Sequence, residues 1–483
     1  MLPVLAGASW IRAFLLLIED VTMRCALFYI TAAIFCGTGL CASGEVFTKT
    51  FEEDDSLIAN PGQGWMAWRR TGWDEARAKV AVGIIYERFY WSDLEPDNGV
   101  YDWTQLDGLL EFAASKGVPA AFRIVCAASG VPKNYETPKW VFELGAKGDA
   151  FVSKTANGPV NDFVPRFDDP IFLKYHARFI RRLAEHCDGD PRLAGLDLGS
   201  YGNWGEWHCC HLPPYDNGKV GQTIYPFAAR KAIIDAYLDN FKKTMVVAMT
   251  DNEEGLAYAV QNGLFPRVGL RRDGVGAPWI QKDWAGSARY VDVRHMGDVW
   301  KSKPVWFESY ASAKWMSEKK GWDMAAMVDW MTSNHVTCVH YHPMAEKDLA
   351  EHSELWRRVD VAAGARLVPK RAVVSTTDTG FAVRLGVVNK GVGCISLPYD
   401  LVFELIDGGG CLICLARGCA DPARWLPGRF VIEEDVPAST ANMAKAVLLR
   451  ARLVHRGGAL RDFRFAARGA EKGLVLWERG QGQ

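Results

Sequence analysis

The residues best suited to chemistry lie in one short segment, residues 199–208, which reads GSYGNWGEWH. It combines glycines, two tryptophans, an amide, an imidazole and a single carboxylate, Glu206. Indole faces stack on pyranose rings, and the side chains of Asn203 and His208 can hydrogen-bond hydroxyl groups. This composition favours a sugar site. The alternative is that the tryptophans pack in the core and Glu206 is a solvated loop residue.

A second carboxylate with a similar setting is Glu308, at the end of the apolar run 303–310. Paired carboxylates can cleave a glycosidic bond: one protonates the leaving oxygen, and the other attacks the anomeric carbon or activates water. A separation of about 5–5.5 Å leads to retention of configuration and about 6.5–9.5 Å to inversion. The sequence gives no distance, so both outcomes stay open.

Further side chains could line the same site. Arg88 and Arg123 could keep a nucleophilic carboxylate ionised or bind a sugar oxygen or a uronate; the alternative is that they are paired inside the fold. The other candidates for substrate binding are aromatic or polar residues near strand ends, namely Trp91, Trp204, Trp207, Asp273, Tyr341 and His342. For the tryptophans, core packing is the competing interpretation.

The elements that must position these residues follow an alternating pattern. Eight short apolar runs alternate with helical segments, at residues 65–68, 80–91, 118–125, 193–198, 244–250, 267–274, 303–310 and 335–343. The helical segments include residues 105–116, 170–187, 225–243, 253–262 and 322–332. This pattern predicts an α/β fold, a parallel (β/α)8 TIM barrel, in which functional residues lie at the carboxyl ends of the strands. Glu206 and Glu308 both meet that condition.

The two ends of the sequence predict a signal peptide before the barrel and a second domain after it. Residues 1–44 resemble a secretory signal peptide, with the true start at Met23, so we expect a secreted or periplasmic protein; an uncleaved anchor is the alternative. Residues 45–362 would form the barrel. From residue 363 to 483, alternating strands between Gly and Pro turns predict a small antiparallel β-sandwich.

The motif after the second apolar run resembles clan A glycoside hydrolases. The matching residues are WSDLEP at 91–96, GVYDW at 99–103 and Leu106-Asp107, and the resemblance covers about residues 60–343. It implies that Glu206 is the acid/base, Glu308 the nucleophile, and the reaction retaining. Gly205 stands where the clan has Asn, and a Gly-Glu pair is similar to β-amylase-like barrels, which invert.

The chain is also similar to a group of bacterial barrel proteins with a C-terminal sandwich domain of unknown function. The matching stretches are residues 202–208 and 421–428, and this resemblance spans nearly the whole mature chain. It implies no particular substrate.

Composition and other motifs narrow the function. With 56 basic and 57 acidic residues the net charge is −1, so we expect no nucleic-acid partner and, after signal cleavage, no stable membrane insertion. Neither the segment HCCH at 208–211 nor Cys411, Cys414 and Cys419 has convincing metal-ligand spacing, so we expect no metal. No cofactor motif is present.

We therefore expect a secreted glycoside hydrolase that cleaves a β-linked oligo- or polysaccharide. The alternative is a non-catalytic carbohydrate-binding or cell-surface barrel protein. A polysaccharide lyase or deacetylase would need a metal or a Tyr/Lys base, which the sequence does not offer.

Overall fold

The computed structural model describes residues 45–69, 73, 77, 79–213, 225–250, 253–260, 267–281, 296–341 and 346–480. The predicted signal peptide and His342 lie outside these residues.

The secondary structure alternates through the first three quarters of the chain and is mainly strand thereafter. The strands are β1 (Val46–Thr50), β2 (Gly64–Trp68), β3 (Val82–Tyr90), β4 (Ala120–Val125), β5 (Gly148–Thr155), β6 (Gly158–Pro165), β7 (Leu193–Asp197), β8 (Val246–Met249), β9 (Gly269–Val275), β10 (Val305–Ser309), β11 (Cys338–His340), β12 (Leu367–Thr377), β13 (Gly380–Asn389), β14 (Tyr399–Asp407), β15 (Leu412–Arg417), β16 (Gly428–Pro437), β17 (Ala446–His455) and β18 (Leu474–Glu478). The α-helices are α1 (Trp91–Leu94), α2 (Thr104–Ser115), α3 (Lys139–Glu143), α4 (Pro170–Cys187), α5 (Phe227–Asn240), α6 (Glu253–Val260), α7 (Met324–Ser333), α8 (Glu346–Glu351), α9 (Ser353–Ala362) and α10 (Thr440–Lys445).

Eight parallel strands close into a barrel in the order β2-β3-β4-β7-β8-β9-β10-β11, with β11 pairing back to β2. Each of them falls within or next to one of the eight apolar runs, so the predicted TIM barrel is confirmed. Helix α4 shows why the helix predictions succeeded. Asp169 caps it by accepting hydrogen bonds from the N–H groups of Ile171 (2.8 Å) and Phe172 (3.1 Å), and Pro170 occupies its first turn.

Successive side chains of the barrel strands alternate between two cores. The side chains of one parity, meaning every second residue of a strand, pack outward against the helices, as Ile85, Phe122 and Phe307 do. The other parity points into the lumen. At the amino end of the lumen these side chains are apolar and buried, namely Met66, Ile84, Ala121, Val247, Trp306 and Cys338.

The C-terminal region is a sandwich of two four-stranded antiparallel sheets, ordered β1-β12-β13-β16 and β15-β14-β17-β18. The predicted β-sandwich is thus confirmed. Strand β1 corrects one detail of the predicted division, because residues 46–50 were assigned to the barrel segment. Val46 to Thr50 pair with Ser375 to Arg371 of β12, so this strand is the edge of a sandwich sheet.

The sandwich covers the amino end of the barrel. Gln63, just before β2, donates to Ala365 O at 2.8 Å, and Gly117 O, before β4, accepts from Arg461 N at 3.1 Å. The apolar layer of the lumen and the sandwich interior form one continuous hydrophobic cluster. The carboxyl end of the barrel is therefore the end left open for a site. In the described part of the chain, no helix is both long and apolar enough to cross a membrane.

Candidate active site at the carboxyl end of the barrel

Glu206 is carried by a tightly wound loop after β7. The loop contains several left-handed residues, namely Ser200, Gly202, Trp204, Gly205 and Trp207. For non-glycine residues this conformation is uncommon and costs about 1–3 kcal/mol where the surroundings impose it. At Gly202 a side chain is excluded altogether, because a Cβ atom would lie 2.3 Å from His208 O. Such local strain is typical of functional sites.

Two side chains hold this loop in place. The Asn203 amide oxygen accepts from Ser129 N at 2.8 Å, and its nitrogen donates to Cys210 O at 2.9 Å. The Trp207 indole nitrogen donates to Leu198 O at 2.5 Å. Asn203 and Trp207 therefore fix the path of the loop that presents Glu206.

Three carboxylates meet above the lumen, one from the loop after β7 and the others from β9 and β10. One oxygen each from Glu206, Asp273 and Glu308 lies within 4.8 Å of the other two, and all three residues are at least nine-tenths buried. Three converging carboxylates could hold a cation. Here, however, arginine side chains already contact each of them.

Arg88 bridges the two glutamates. Its Nη2 lies 3.0 Å from Glu206 Oε1 and 3.1 Å from both carboxylate oxygens of Glu308. It also lies over the ring of Trp68, 5.4 Å from the ring centroid.

Two fully buried arginines complete the network. Arg123 donates to Glu206 Oε1 (3.0 Å), Asp273 (2.9 Å) and Asp197 (2.8 Å). Arg271 donates to Asp273 (2.7 Å) and to Glu308 Oε2. Three guanidinium groups thus face four carboxylates, so the burial of charge is largely compensated.

Asp197 lies beneath this network. Its Oδ2 atom accepts from Tyr86 Oη at 2.5 Å as well as from Arg123, and it lies 3.4 Å from Arg271 Nη1. It is fully buried. Its contacts with two arginines indicate a structural role, orienting the guanidinium groups that reach the glutamates.

The electrostatics distinguish Glu308. Burial alone would raise its pKa, but the positive charges of Arg88 and Arg271 and the hydrogen bond with His340 outweigh burial and hold the pKa of Glu308 well below its ordinary value. His340 Nδ1 lies 3.2 Å from Glu308 Oε2, and burial lowers the pKa of His340 to about 4. At neutral pH, Glu308 is therefore an ionised carboxylate beside a neutral imidazole.

Most of the predicted site residues converge at this end of the barrel. Glu206, Glu308, Arg88, Arg123 and Asp273 form the network directly. For the two arginines, both interpretations hold, since they are paired inside the barrel and contact the glutamates.

Two further predicted residues lie beside Glu206. His208 Nε2 is 3.4 Å from Glu206 Oε2. Trp204 is partly exposed, with its ring 5.9 Å from that of His208 and its indole nitrogen donating to Ser129 O. Asn203 supports the loop from beneath.

Three predicted substrate-binding residues lie elsewhere. Trp91 is fully buried and stacks on Phe179 of α4 with ring centroids 5.4 Å apart. Trp207 is buried within the same helix-facing core. Tyr341 is on the outward parity, packing on Trp65 and accepting a hydrogen bond from Ala313 N at 2.5 Å. The predicted role of these three residues in substrate binding is therefore wrong, because all three pack in the core.

Several residues of the network were not predicted from the sequence, namely Trp68, Tyr86, Asp197, Arg271 and His340. The signal that could have found them is the period of two along each strand. Arg271 has the parity of Asp273, and His340 lies two residues after the lumen-facing Cys338, whereas Tyr341 has the opposite parity.

Comparison with known proteins adds a family match over part of the chain. Residues 67–211 match the Beta-galactosidase model of glycoside hydrolase family 42. The predicted resemblance to glycoside hydrolases is confirmed for this stretch, which contains Arg88, Arg123 and Glu206 but not Glu308.

Two curated relatives show similarity of limited extent. Beta-galactosidase Bga of Halorubrum lacusprofundi is 26% identical over 136 residues, which is 26% of this chain and 18% of the relative. Beta-galactosidase LacZ of Heyndrickxia coagulans is 26% identical over 169 residues, 34% of this chain and 23% of the relative. The chain therefore spans about a fifth of the length of the curated relatives it matches.

Solved glycosidase structures are similar at low identity. Endo-glycoceramidase II from Rhodococcus sp. covers 81% of this chain and all of its own, with a TM-score of 0.40 and 14% identity. The beta-galactosidase from Halorubrum lacusprofundi covers 63% of this chain and 58% of its own, with a TM-score of 0.36 and 12% identity.

Proposed function

We propose that this protein is a glycoside hydrolase that cleaves a β-linked oligo- or polysaccharide, with Glu308 as nucleophile and Glu206 as acid/base. The observation that carries the proposal is the convergence of these carboxylates within 4.8 Å at the open end of the barrel. The family match to β-galactosidase over residues 67–211 supports a β-galactoside as the first substrate to test.

The contacts divide the roles between the carboxylate oxygens. Glu308 Oε2 is held by Arg271 and His340, whereas Oε1 contacts only Arg88 among the described hydrogen bonds, so Oε1 is the attacking atom. On Glu206, Arg88 and Arg123 both bind Oε1, which leaves Oε2 to carry the proton.

In the first step, Glu308 Oε1 forms a bond to the anomeric carbon while the bond to the leaving oxygen breaks and Glu206 Oε2 transfers its proton to that oxygen. In the second step, water gives a proton to Glu206 and its oxygen attacks the anomeric carbon, and Glu308 departs as a carboxylate. The short separation supports this retaining course, since an inverting pair needs room for a water molecule, about 6.5–9.5 Å.

A second candidate is a carbohydrate-binding barrel without turnover. The observation that favours it is the contact of two guanidinium groups with Glu206, because the acid/base must exchange a proton beside those two positive charges. This barrel would bind a sugar through the arginines and carboxylates without breaking its bonds.

Hydrolysis of p-nitrophenyl β-galactoside and of other aryl β-glycosides tests the proposal. We expect Glu308→Gln and Glu206→Gln each to abolish turnover while the circular dichroism spectrum stays unchanged. Glu434→Gln is the matched control, because this carboxylate of the sandwich is equally buried and lies outside the barrel. Loss of activity in all three variants, or in none, would refute the assignment of roles.

The anomer formed first, read by NMR, tests retention. We expect the β-anomer to appear before mutarotation. An α-anomer would assign Glu206 and Glu308 to an inverting pair. Binding of a glycan by the wild-type protein with no product would establish the second candidate.

We also propose export, which rests on the composition of residues 23–44 alone. Amino-terminal sequencing of the protein recovered from the periplasm or medium is the test, and recovery of the full-length chain in the cytoplasm would refute it.

A further inference from the structure

An exposed aromatic cluster lies at the rim of the open end of the barrel. Among the described residues, the large aromatic side chains that are exposed are Trp279 (51%), Tyr310 (47%) and Trp315 (36%), and all three belong to this cluster. Trp322 joins them. We refer to these four residues as the aromatic platform. Clustered exposed apolar surface on a soluble domain usually marks a binding site.

Trp322 lies at the centre of the platform and contacts the other three rings. Tyr310 and Trp315 are nearly parallel, with an interplanar angle of 16° and centroids 5.8 Å apart. Trp322 meets Trp279, Tyr310 and Trp315 edge-on at 5.2, 5.3 and 5.9 Å. Because Trp322 braces the other three, their orientation is fixed before any ligand binds, which lowers the entropic cost of binding.

The platform is continuous with the candidate active site. Tyr310 directly follows β10, two residues beyond Glu308, which corresponds to about 7 Å of extended backbone. Its N–H donates to Val275 O at 2.9 Å, at the end of the strand that carries Asp273. A ligand bound at the two glutamates and extending toward β9 and β10 would reach these rings.

We propose that the aromatic platform is a distal subsite that binds further pyranose units of an oligo- or polysaccharide whose scissile bond lies between Glu206 and Glu308. This inference rests on the proposed function and adds a preference for chains over disaccharides. Pyranose rings suit the platform because each has an apolar C–H face, which stacks on an indole or phenol ring, and a hydroxyl edge that stays in water. Continuity with the carboxylates favours a sugar chain over a protein partner.

Substrate length is the variable that tests the platform. In wild-type protein, kcat/KM should rise with chain length along series of β-1,4-linked galacto-, cello- or xylo-oligosaccharides of two to six units. Trp279→Ala and Trp315→Ala should each remove about fivefold of the gain for long chains, since an aromatic stacking contact contributes about 1 kcal/mol and 1.4 kcal/mol is tenfold. Hydrolysis of a p-nitrophenyl monoglycoside should be unchanged.

Trp300→Ala is the matched control. Trp300 lies before β10, at the opposite end of the same strand, where it stacks on His335 at 3.7 Å. It should leave the ratio of long-chain to monoglycoside kcat/KM unaltered. An unaltered ratio in the platform variants as well would overturn the proposal while leaving the proposed hydrolysis intact.

Binding to the Glu308→Gln variant separates this proposal from the proposed function. Calorimetric titration with the same oligosaccharides should give tighter binding for longer chains, lost on adding Trp279→Ala, even if the wild-type protein hydrolyses nothing. Absence of binding to every series would overturn the platform. So would a change of oligomeric state on sedimentation of Trp279→Ala with sugar binding unchanged, which would identify the patch as a contact between copies of the chain.

Discussion

The two ends of the barrel lumen are built from the same strands but have opposite character. Along β10, Trp306 at the amino end is apolar and packs toward the sandwich, whereas Glu308, two residues later, is a paired charge. Along β11, the apolar Cys338 is followed two residues later by His340, a polar side chain that lies beside Glu308. One strand period, which is two residues, therefore separates an apolar layer that stabilises the fold from a charged layer that contains the proposed catalytic residues. This division is expected if the strands present function only at their carboxyl ends.

The largest effect should come from removing a central charge. Arg271→Met leaves Glu308, Asp273 and Asp197 without one guanidinium group, so we expect a loss of about 3–5 kcal/mol in the free energy of unfolding. Displacement of Glu308 should also lower kcat/KM at least about a hundredfold. Urea denaturation and steady-state kinetics measure the two effects. Full activity in the variant would show that the charged layer does not position the nucleophile.

The corresponding change at the apolar end should affect stability alone. Ile84→Ala creates a cavity in a fully buried position and should cost about 2–5 kcal/mol. The kcat/KM of the folded fraction should stay within about twofold of wild type. If activity falls as far as in the arginine variant, the separation of the two layers is wrong.

The pH dependence should also reflect the charged layer. Since burial lowers the pKa of His340 to about 4, the unfolded chain binds a proton below about pH 6.5 while the folded protein does not. Stability should therefore fall as the pH is lowered from 7.5 to 4.5, by about 2–3 kcal/mol from this group. Glu308 contributes little in this window, because its ordinary pKa of 4.5 lies at the lower limit and its depressed pKa in the folded protein lies below it, so most of its effect on stability comes at lower pH.

Replacing the imidazole isolates that contribution. Urea denaturation of wild type and His340→Gln at several pH values should show a shallower dependence in the variant. Parallel curves would mean that the imidazole is protonated in the folded state, and hence that Glu308 has a cationic neighbour.

The smallest effect should come from changing Tyr341, the residue that follows His340 in the sequence. Tyr341→Phe removes only the hydroxyl that accepts from Ala313 N, so we expect about 1–3 kcal/mol of destabilisation and unchanged kcat/KM. Thermal unfolding and kinetics check this. A selective loss of activity would place Tyr341 in the lumen after all and reverse the comparison with His340.

Much of the architecture could be predicted because it depends on local pattern. Apolar runs located the eight barrel strands, and residues 170–187 were identified as a helix from their apolar spacing. Glu206 and Glu308 were found because Glu206 follows a buried strand and Glu308 lies at the end of another. The charged network was less accessible, since Asp197 and Arg271 lie inside apolar runs where only the strand parity and the packing of neighbours reveal that they face the lumen.

Tryptophan was the least reliable guide. Trp91 and Trp204 both stand near strand ends in the sequence, yet one is buried against α4 and the other is partly exposed beside Glu206. Which side of the backbone a bulky ring takes depends on the path of the loop, and in residues 200–207 that path includes left-handed turns. Aromatic composition alone does not separate a stacking surface from core packing.

The pairing of β1 with β12 has a consequence for how the protein is made. More than three hundred residues separate the partners, Val46 from Ser375 for example, so the outer edge of that sheet can form only after the whole barrel segment has been synthesised. The early strand must remain unpaired while the ribosome translates the intervening chain. A fragment that stops at the end of α9 would leave that strand exposed and the apolar floor of the lumen uncovered, so the barrel is expected to be insoluble without its C-terminal partner.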